Sequence, residues 1–463
     1  MNNKPDIFEV LERAHTGEYC SSKDWDLKWI RGNVRRVLKD HGLDNTCDME
    51  NPVNSDYDLA DRFYQAAFEL ALLVGFYCED TERVIRVSQE ELENALKFAP
   101  SELFIGKGKD GTLVKARKPA DPYTCKQVCS LGITVSEDIF LQLVTGIVAE
   151  KEVDLLEAAS LITVRGHEVL AGTPWETLMG YRHGQWHREA RRRGGRPGMG
   201  GIGSISAVTD YGQFGAYGTP GGLDPSMDAA LILFPSEMKI DYRTLNKVIH
   251  ALNMGGAIKA NSPSMIGGMP GPPEGAVIAE IACTILSYAI LQNQAGGGQL
   301  YDARYLSSVN REALWAHSVV NQALSRNTHI LVDSFPNEVS GPVTANLLYE
   351  IAAGQAVVAS CGGAFTTGPR TAGGKLHDYL TPLECRFAGE VTHKSSALEP
   401  AKVNEIVKEL LPLYEDQIKT PDVGKPYQEA YDVATGQPTE EWEAIYRKVK
   451  NEVIEMGIPL DEF

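Results

Sequence analysis

Along the first 150 residues, apolar positions recur at three- and four-residue intervals, the period of helices with one buried stripe. Leu59, Phe63, Ala66, Ala67, Leu70 and Val74 form the clearest stripe, and Gly75 closes it. Phe104–Ala120 is rich in Gly and Lys and lacks that period, which predicts a loop or short hairpin. From about Val153, short apolar runs alternate with longer helical stretches. Strands are predicted at Leu155–Val164, Arg196–Ile202, Ala229–Phe234, Ala257–Asn261, Gln299–Arg304, Ile330–Ser334 and Val357–Cys361. One helix should start at Pro174, a residue suited to the first helical position. Asp241 can cap another, with Leu245, Val248, Ile249 and Leu252 buried and Gly255 at its end. Further helices are predicted near Glu274–Gln292, Asn310–Ser325 and Pro342–Ala353. A last one is capped by Thr439, carries Trp442, Ile445, Tyr446, Val449 and Val453, and stops at Gly457. It should pack on the outside of the fold or at a subunit contact.

Repeated strand–helix units imply an α/β protein with a parallel sheet. Eight such strands close into a TIM barrel, and the eighth is expected near Glu384–Val391. Periodicity alone fits a doubly wound open sheet equally well. The expected layout is a helical extension over 1–150, a barrel over 151–420 and a helical tail over 421–463, together one compact unit.

Composition narrows the class. The chain has 463 residues, 43% hydrophobic and 23% charged, as in a soluble globular protein. Met1–Val10 has no apolar core of a signal peptide, and no run of about 18 apolar residues predicts a membrane span. Eight cysteines in so long a chain do not read as a disulfide framework, so reduced thiols in the cytoplasm are expected. Lys and Arg total 44 against 62 Asp and Glu, a net charge of −18 that argues against nucleic acid as a partner.

The chemistry is expected at the carboxyl ends of the barrel strands. Glycine-rich stretches mark them: Gly198–Gly203, Tyr211–Gly222, Asn261–Pro273, Ser334–Thr344 and Ser360–Gly374. Such loops can be plain tight turns, can cradle a phosphate, or can let a flat ligand approach. Tyr211, Phe214, Tyr217, Tyr305 and Phe335 could pack separately or form a cage for a methylated ammonium. Asp302 and Arg304 could be a core ion pair or could orient a substrate; Glu338 is a third catalytic candidate. Arg182, His183, His187, Arg188, Arg191, Arg192, Arg193 and Arg196 crowd one segment. They read either as a solvated helix end or as a docking patch for an acidic surface or a phosphate tail. His183 and His187 could share a helix face, but no third ligand is in view and no metal site is expected.

Residues 195–203 read GRPGMGGIG, with Ile202 between glycines. This resembles the signature of the monomethylamine methyltransferases of methanogens, in which the position matching Ile202 carries pyrrolysine. Gly17–Leu27 (GEYCSSKDWDL), Gly75–Thr81 (GFYCEDT), Val135–Phe140 (VSEDIF), Thr163–Gly166 (TVRG), Ser340–Thr344 (SGPVT), Gly424–Val433 (GKPYQEAYDV) and Pro438–Trp442 (PTEEW) resemble that family in order, end to end. The resemblance implies a TIM barrel, a homo-oligomer (a hexamer), and methyl transfer from an N-methyl compound to the Co(I) corrinoid of a separate protein. The chain itself would bind no cofactor. Its partners would be a cognate corrinoid protein and a small methylated amine.

This sequence departs from the family at three places. Ile202 cannot form an adduct. Phe335, Pro336 and Asn337 stand where polar and phenolic partners of pyrrolysine are expected, and Asn261 and Ser262 where the family places a carboxylate. A monomethylamine is a poor leaving group without an activating adduct, whereas a quaternary ammonium departs as a neutral amine. The expected reaction is therefore methyl transfer from a quaternary or otherwise activated methylated amine, without pyrrolysine. Ile202, Tyr211, Phe214, Tyr217, Asn261, Tyr305, Phe335 and Asn337 are the expected substrate contacts. Gly198, Gly200, Gly201, Gly203, Arg191, Arg192 and Arg193 are the expected corrinoid-docking residues. Two other readings stay open: a barrel enzyme acting on a phosphorylated small molecule, and a non-catalytic homologue that binds a corrinoid protein or a small ligand.

Overall fold

In the computed structural model the described residues are 5–129, 132–157, 159–203 and 209–461. The central sheet consists of β1 (Lys126–Cys129), β2 (Leu155–Leu156), β3 (Ile202–Gly203), β4 (Ala229–Leu233), β5 (Ile258–Ile266), β6 (Ala295–Asp302), β7 (Leu331–Ser334) and β8 (Phe365–Thr367). All pairings are parallel, and neighbours in space are neighbours in the chain, with β8 returning to β1. The last gap closes where the Leu156 N–H donates to the Gly200 carbonyl at 3.0 Å, in a bridge between Leu156 and Gly201. The sheet is thus a barrel, and the doubly wound alternative falls away.

Two predicted strands are corrected. Val357–Cys361 is the end of the helix Ala345–Ser360 and the turn after it; the strand is the shorter Phe365–Thr367. That helix is buried almost all round, so it shows no one-sided stripe. Glu384–Val391 lies in the helix Pro382–Ser395, which starts with proline at its first turn and a Thr381–Glu384 capping box. The missing strand is β1, inside the stretch read as a helical extension. The barrel therefore begins before residue 151.

The helix Tyr57–Val74 lays its stripe across the helices Pro273–Ile290 and Arg311–Asn327. This second layer explains Pro273–Ile290, which is apolar and long enough to cross a membrane yet buried within the fold. The C-terminal helix Glu440–Met456 packs on the barrel's outside. Its Trp442 indole N–H donates to Thr381 Oγ1 at 3.0 Å, and Tyr446 meets Phe387 edge to face.

The predicted hairpin is present as Glu102–Ile105 against Thr112–Lys115. It crosses the strand-start end of the barrel. The Gly106 N–H donates to the Met227 carbonyl and that of Lys107 to the Gly198 carbonyl, both at 2.8 Å, just ahead of β4 and β3. Ile105 and Val114 join Val128, Leu155, Ile202, Ala229, Leu231, Ala295 and Leu331 in one buried cluster. Among the described residues the hairpin plugs that end, which leaves the carboxyl ends of the strands as the side on which the interior can open.

Candidate functional site

Strand register brings charge into the barrel. Leu231 pairs with Lys259, Asn261 with Gly297, Gly297 with Asp333, and Asp333 with Phe365. Side chains alternate along strands, so these positions share the inner face. Above the apolar cluster around Ile202 lies a polar layer. Lys259 Nζ is 2.8 Å from Asp333 Oδ2, 2.9 Å from Thr367 Oγ1 and 3.4 Å from Glu157 Oε2. Asp333 also accepts from Asn261 Nδ2 and from the Thr367 hydroxyl, each at 2.9 Å. Lys259 stands 5.8 Å from the centre of the Phe365 ring, which belongs to the same apolar cluster as Ile202.

Burial lowers the Lys259 ammonium, but Asp333 and Glu157 outweigh it and raise its pKa. Burial pushes Glu157 up to about 7 against the pull of Lys259. Near neutrality the layer therefore holds the Lys259 ammonium and, in Glu157, a carboxyl poised between its two forms. Several buried polar atoms here have no partner among the described residues: Glu157 Oε1, Asn261 Oδ1 and Gln299 Nε2. Nearer the mouth, Asn337 Oδ1 and Glu338 Oε1 are also unpaired. Burial raises Glu338 to about 8, so it holds a proton at neutral pH. Unpaired buried polar atoms are costly, and their concentration at one end of a barrel marks a place built for a polar ligand.

The sequence-predicted residues divide. Ile202, Phe335 and Asn261 lie in the barrel interior: Ile202 is 1% exposed and shares its cluster with Phe335, and Asn261 bonds Asp333. Asn337 and Glu338 follow β7 and are buried. Asp302 lies on the outward face with Leu300 and is saturated. It accepts from the Arg304 backbone N–H, the Arg304 guanidinium and Asn310 Nδ2, which leaves it as the cap of a strand-end turn. Arg304 also pairs with Glu312.

The five rings do not form one cage. The Tyr217 hydroxyl donates to the Asp228 carbonyl at 2.9 Å, and Phe214 packs on His250. Tyr211 lies in a surface groove with Leu178 and Tyr181, and Tyr305 lies beneath Lys419 and Arg304. No ring contact joins any two of the five among the described residues.

The docking set is corrected by topology. A helix that follows a barrel strand runs back toward the strand starts, so the end of Pro174–Arg193 and the turn to β3 lie at the plugged end. There Gly198 and Gly200 let the hairpin approach: a Cβ on Gly200 would fall 2.6 Å from Ile105 Cγ2, and one on Gly198 would strike the Lys107 carbonyl. Gly201 sits against Arg191 and Asp228, and Gly203 against Leu223. None of these glycines frames the mouth, and the phosphate-cradle reading of this stretch goes with it. Arg191 is buried, with its guanidinium 2.8 Å from Asp228 Oδ1. Arg192 and Arg193 are exposed and both pair with Glu189. His183 and His187 are buried with their Nε2 atoms 2.6 Å apart, against Phe140.

Sequence reading missed Lys259, Asp333, Glu157 and Thr367. A signal was present: a lysine inside the apolar run Ala257–Asn261 and an aspartate inside Ile330–Ser334. Opposite charges in two buried strands call for each other across a closed barrel.

A profile of the family described as monomethylamine methyltransferase MtmB matches residues 5–458. The chain belongs to the monomethylamine methyltransferase family. Among curated members, one from Methanosarcina mazei is 28% identical over 454 residues, and one from Methanosarcina barkeri 29% over 459; each match covers 98% of both chains. The crystal structure of the Methanosarcina barkeri enzyme superposes with a TM-score of 0.94 at 27% identity, covering 99% of each chain. A structure described as its hydroxylamine complex matches equally well. The family's architecture is thus kept whole.

Proposed function

We propose that this family member moves a methyl group from a quaternary or otherwise activated methylated ammonium, not monomethylamine, to the corrinoid of a separate protein. The observation that carries this reading is Ile202. At the position where the resemblance puts pyrrolysine stands a side chain 1% exposed, packed among Leu155, Leu231 and Phe365, with no group able to capture an amine.

The corrinoid, when its carrier docks, supplies a strong nucleophile for the methyl carbon. The C–N bond pair then stays with nitrogen, and a quaternary donor departs as a neutral amine. The chain's task is to orient and dehydrate the donor, which converts binding into rate. Ile202 belongs to the apolar floor, Phe335 and Phe365 provide an apolar wall, and Glu157, with Oε1 unpaired beside the Lys259–Asp333 pair, provides negative charge toward the cation. Glu338, protonated near neutrality, can give its proton to the amine once the C–N bond has broken and nitrogen holds the electron pair.

The test is a methyl-transfer assay with a cognate corrinoid protein reduced to Co(I), followed by its absorbance change. Tetramethylammonium, trimethylglycine and related donors should methylate it, and monomethylamine should not. Ile202→Val should keep turnover. Methylation from monomethylamine overturns the reading, and silence with every donor favours a binding homologue.

A further inference from the structure

Arg370 follows β8 at the mouth. Its backbone N–H donates to Glu338 Oε2 at 2.8 Å. Its guanidinium makes no hydrogen bond or ion pair among the described residues, and its Nε is buried without a partner. The titratable groups that face it are Tyr301, near the end of β6, and Glu338. Burial raises the pKa of both, so neither is a full counter-charge near neutral pH.

The chain makes room for this cation. A Cβ on Gly132 would fall 2.6 Å from Arg370 Nε, and one on Gly374 would fall 2.7 Å from Cζ. Both glycines have positive φ, +78° and +67°. Two loops, after β1 and after β8, therefore give up side chains to seat one guanidinium. A desolvated cation without a counter-charge is destabilising unless a ligand completes it. The guanidinium's planar fork matches a carboxylate with two parallel N–H···O bonds. Within the barrel, the Glu157 and Asp333 carboxylates lie toward β2 and β7, with Glu157 Oε1 unpaired. The interior thus presents a cation at the mouth and, deeper in, two carboxyl groups bridged by the Lys259 ammonium, with Glu157 Oε1 left over.

We propose that Arg370 recognises a carboxylate on the methyl donor, so that the donor is a zwitterion, an N-methylated ammonium with a carboxylate a few bonds away. This rests on the proposed methyl transfer for its biological use, but binding tests it separately. Calorimetry on the full chain, without corrinoid protein, would compare tetramethylammonium with trimethylammonium carboxylates of one, two and three intervening carbons. At least one carboxylate should bind about tenfold or more tighter than tetramethylammonium, the scale of a charge-assisted pair. Arg370→Gln should remove that advantage while leaving tetramethylammonium binding unchanged, and Arg370→Lys should restore part of it. Circular dichroism would check that each variant folds. Failure of the whole carboxylate series to bind, or an advantage that survives in Arg370→Gln, overturns the inference. Carboxylate binding through Arg370 without methyl transfer would leave the inference standing and sink the transfer reading instead.

Discussion

Lys259 Nζ lies 2.8 Å from Asp333 Oδ2, and both side chains are shut away from solvent inside the barrel. Each would be costly alone, so the pair is a mutual requirement rather than a surplus of stability. Asp333→Asn should lower stability by ~3–5 kcal/mol, because it removes the nearer counter-charge of a buried ammonium and leaves it only Glu157 at 3.4 Å. The double change Lys259→Met, Asp333→Leu should recover part of the loss. Denaturation midpoints of the two variants and the unchanged protein check this; equal losses in single and double variants would contradict it.

Stability should fall as pH rises from about 6.5 to 8. Burial raises Glu157 and Glu350 to about 7 and Glu338 to about 8. A raised folded-state value stabilises most below the unfolded carboxyl pKa of about 4.3, and that contribution is lost as pH climbs through the folded value. Burial lowers His183 to about 3 and His317 to about 4, which makes stability grow with pH up to the ordinary imidazole value of about 6.5. The two trends oppose each other below that point, and above it the carboxyls dominate until about pH 8, where Lys247, lowered to about 8 by burial, begins to oppose them. Denaturation midpoints across the window should fall, and Glu338→Gln should flatten the slope.

The arginines near residue 191 should separate cleanly. Arg191→Ser leaves Asp228 buried without its partner and should cost ~3–5 kcal/mol. Arg192→Ser and Arg193→Ser remove exposed pairs and should change stability by less than ~1 kcal/mol. Neither exposed change should alter association with a corrinoid protein, since both lie at the plugged end. Slower association in the Arg192, Arg193 double variant, read by binding kinetics, would restore the docking reading.

Gly200→Val should loosen the hairpin, because its side chain would meet Ile105. Overpacking of this kind costs ~1–3 kcal/mol. Limited proteolysis should then cut within 102–115 faster than in the unchanged protein. Resistance equal to that of the unchanged chain would show that the hairpin gives way without leaving its seat.

Periodicity was enough for the elements that bury one face. The stripe from Leu59 to Val74, the capped helix after Asp241 and the last helix from Thr439 to Gly457 are where their spacing puts them. It failed where burial is total or the element very short. Val357 and Val358 lie in a helix covered on every side, and β8 is three residues long. The site was half legible for a related reason. Ile202 could be read from its neighbours in sequence, but Lys259 and Asp333 acquire meaning only when the barrel closes and sets their strands face to face. The glycines of 198–203 show the reverse error. Their sequence suggests room for a ligand, whereas Gly198 and Gly200 make their close contacts with the chain's own hairpin.

That hairpin also fixes an order of events. With the strand-start end stoppered by Ile105 and Val114, a small donor and a bulky carrier protein would share one doorway. Under the proposed transfer, the donor must be inside before the carrier covers the opening, and the spent amine must wait until the carrier lifts. The kinetic scheme is then compulsory in sequence.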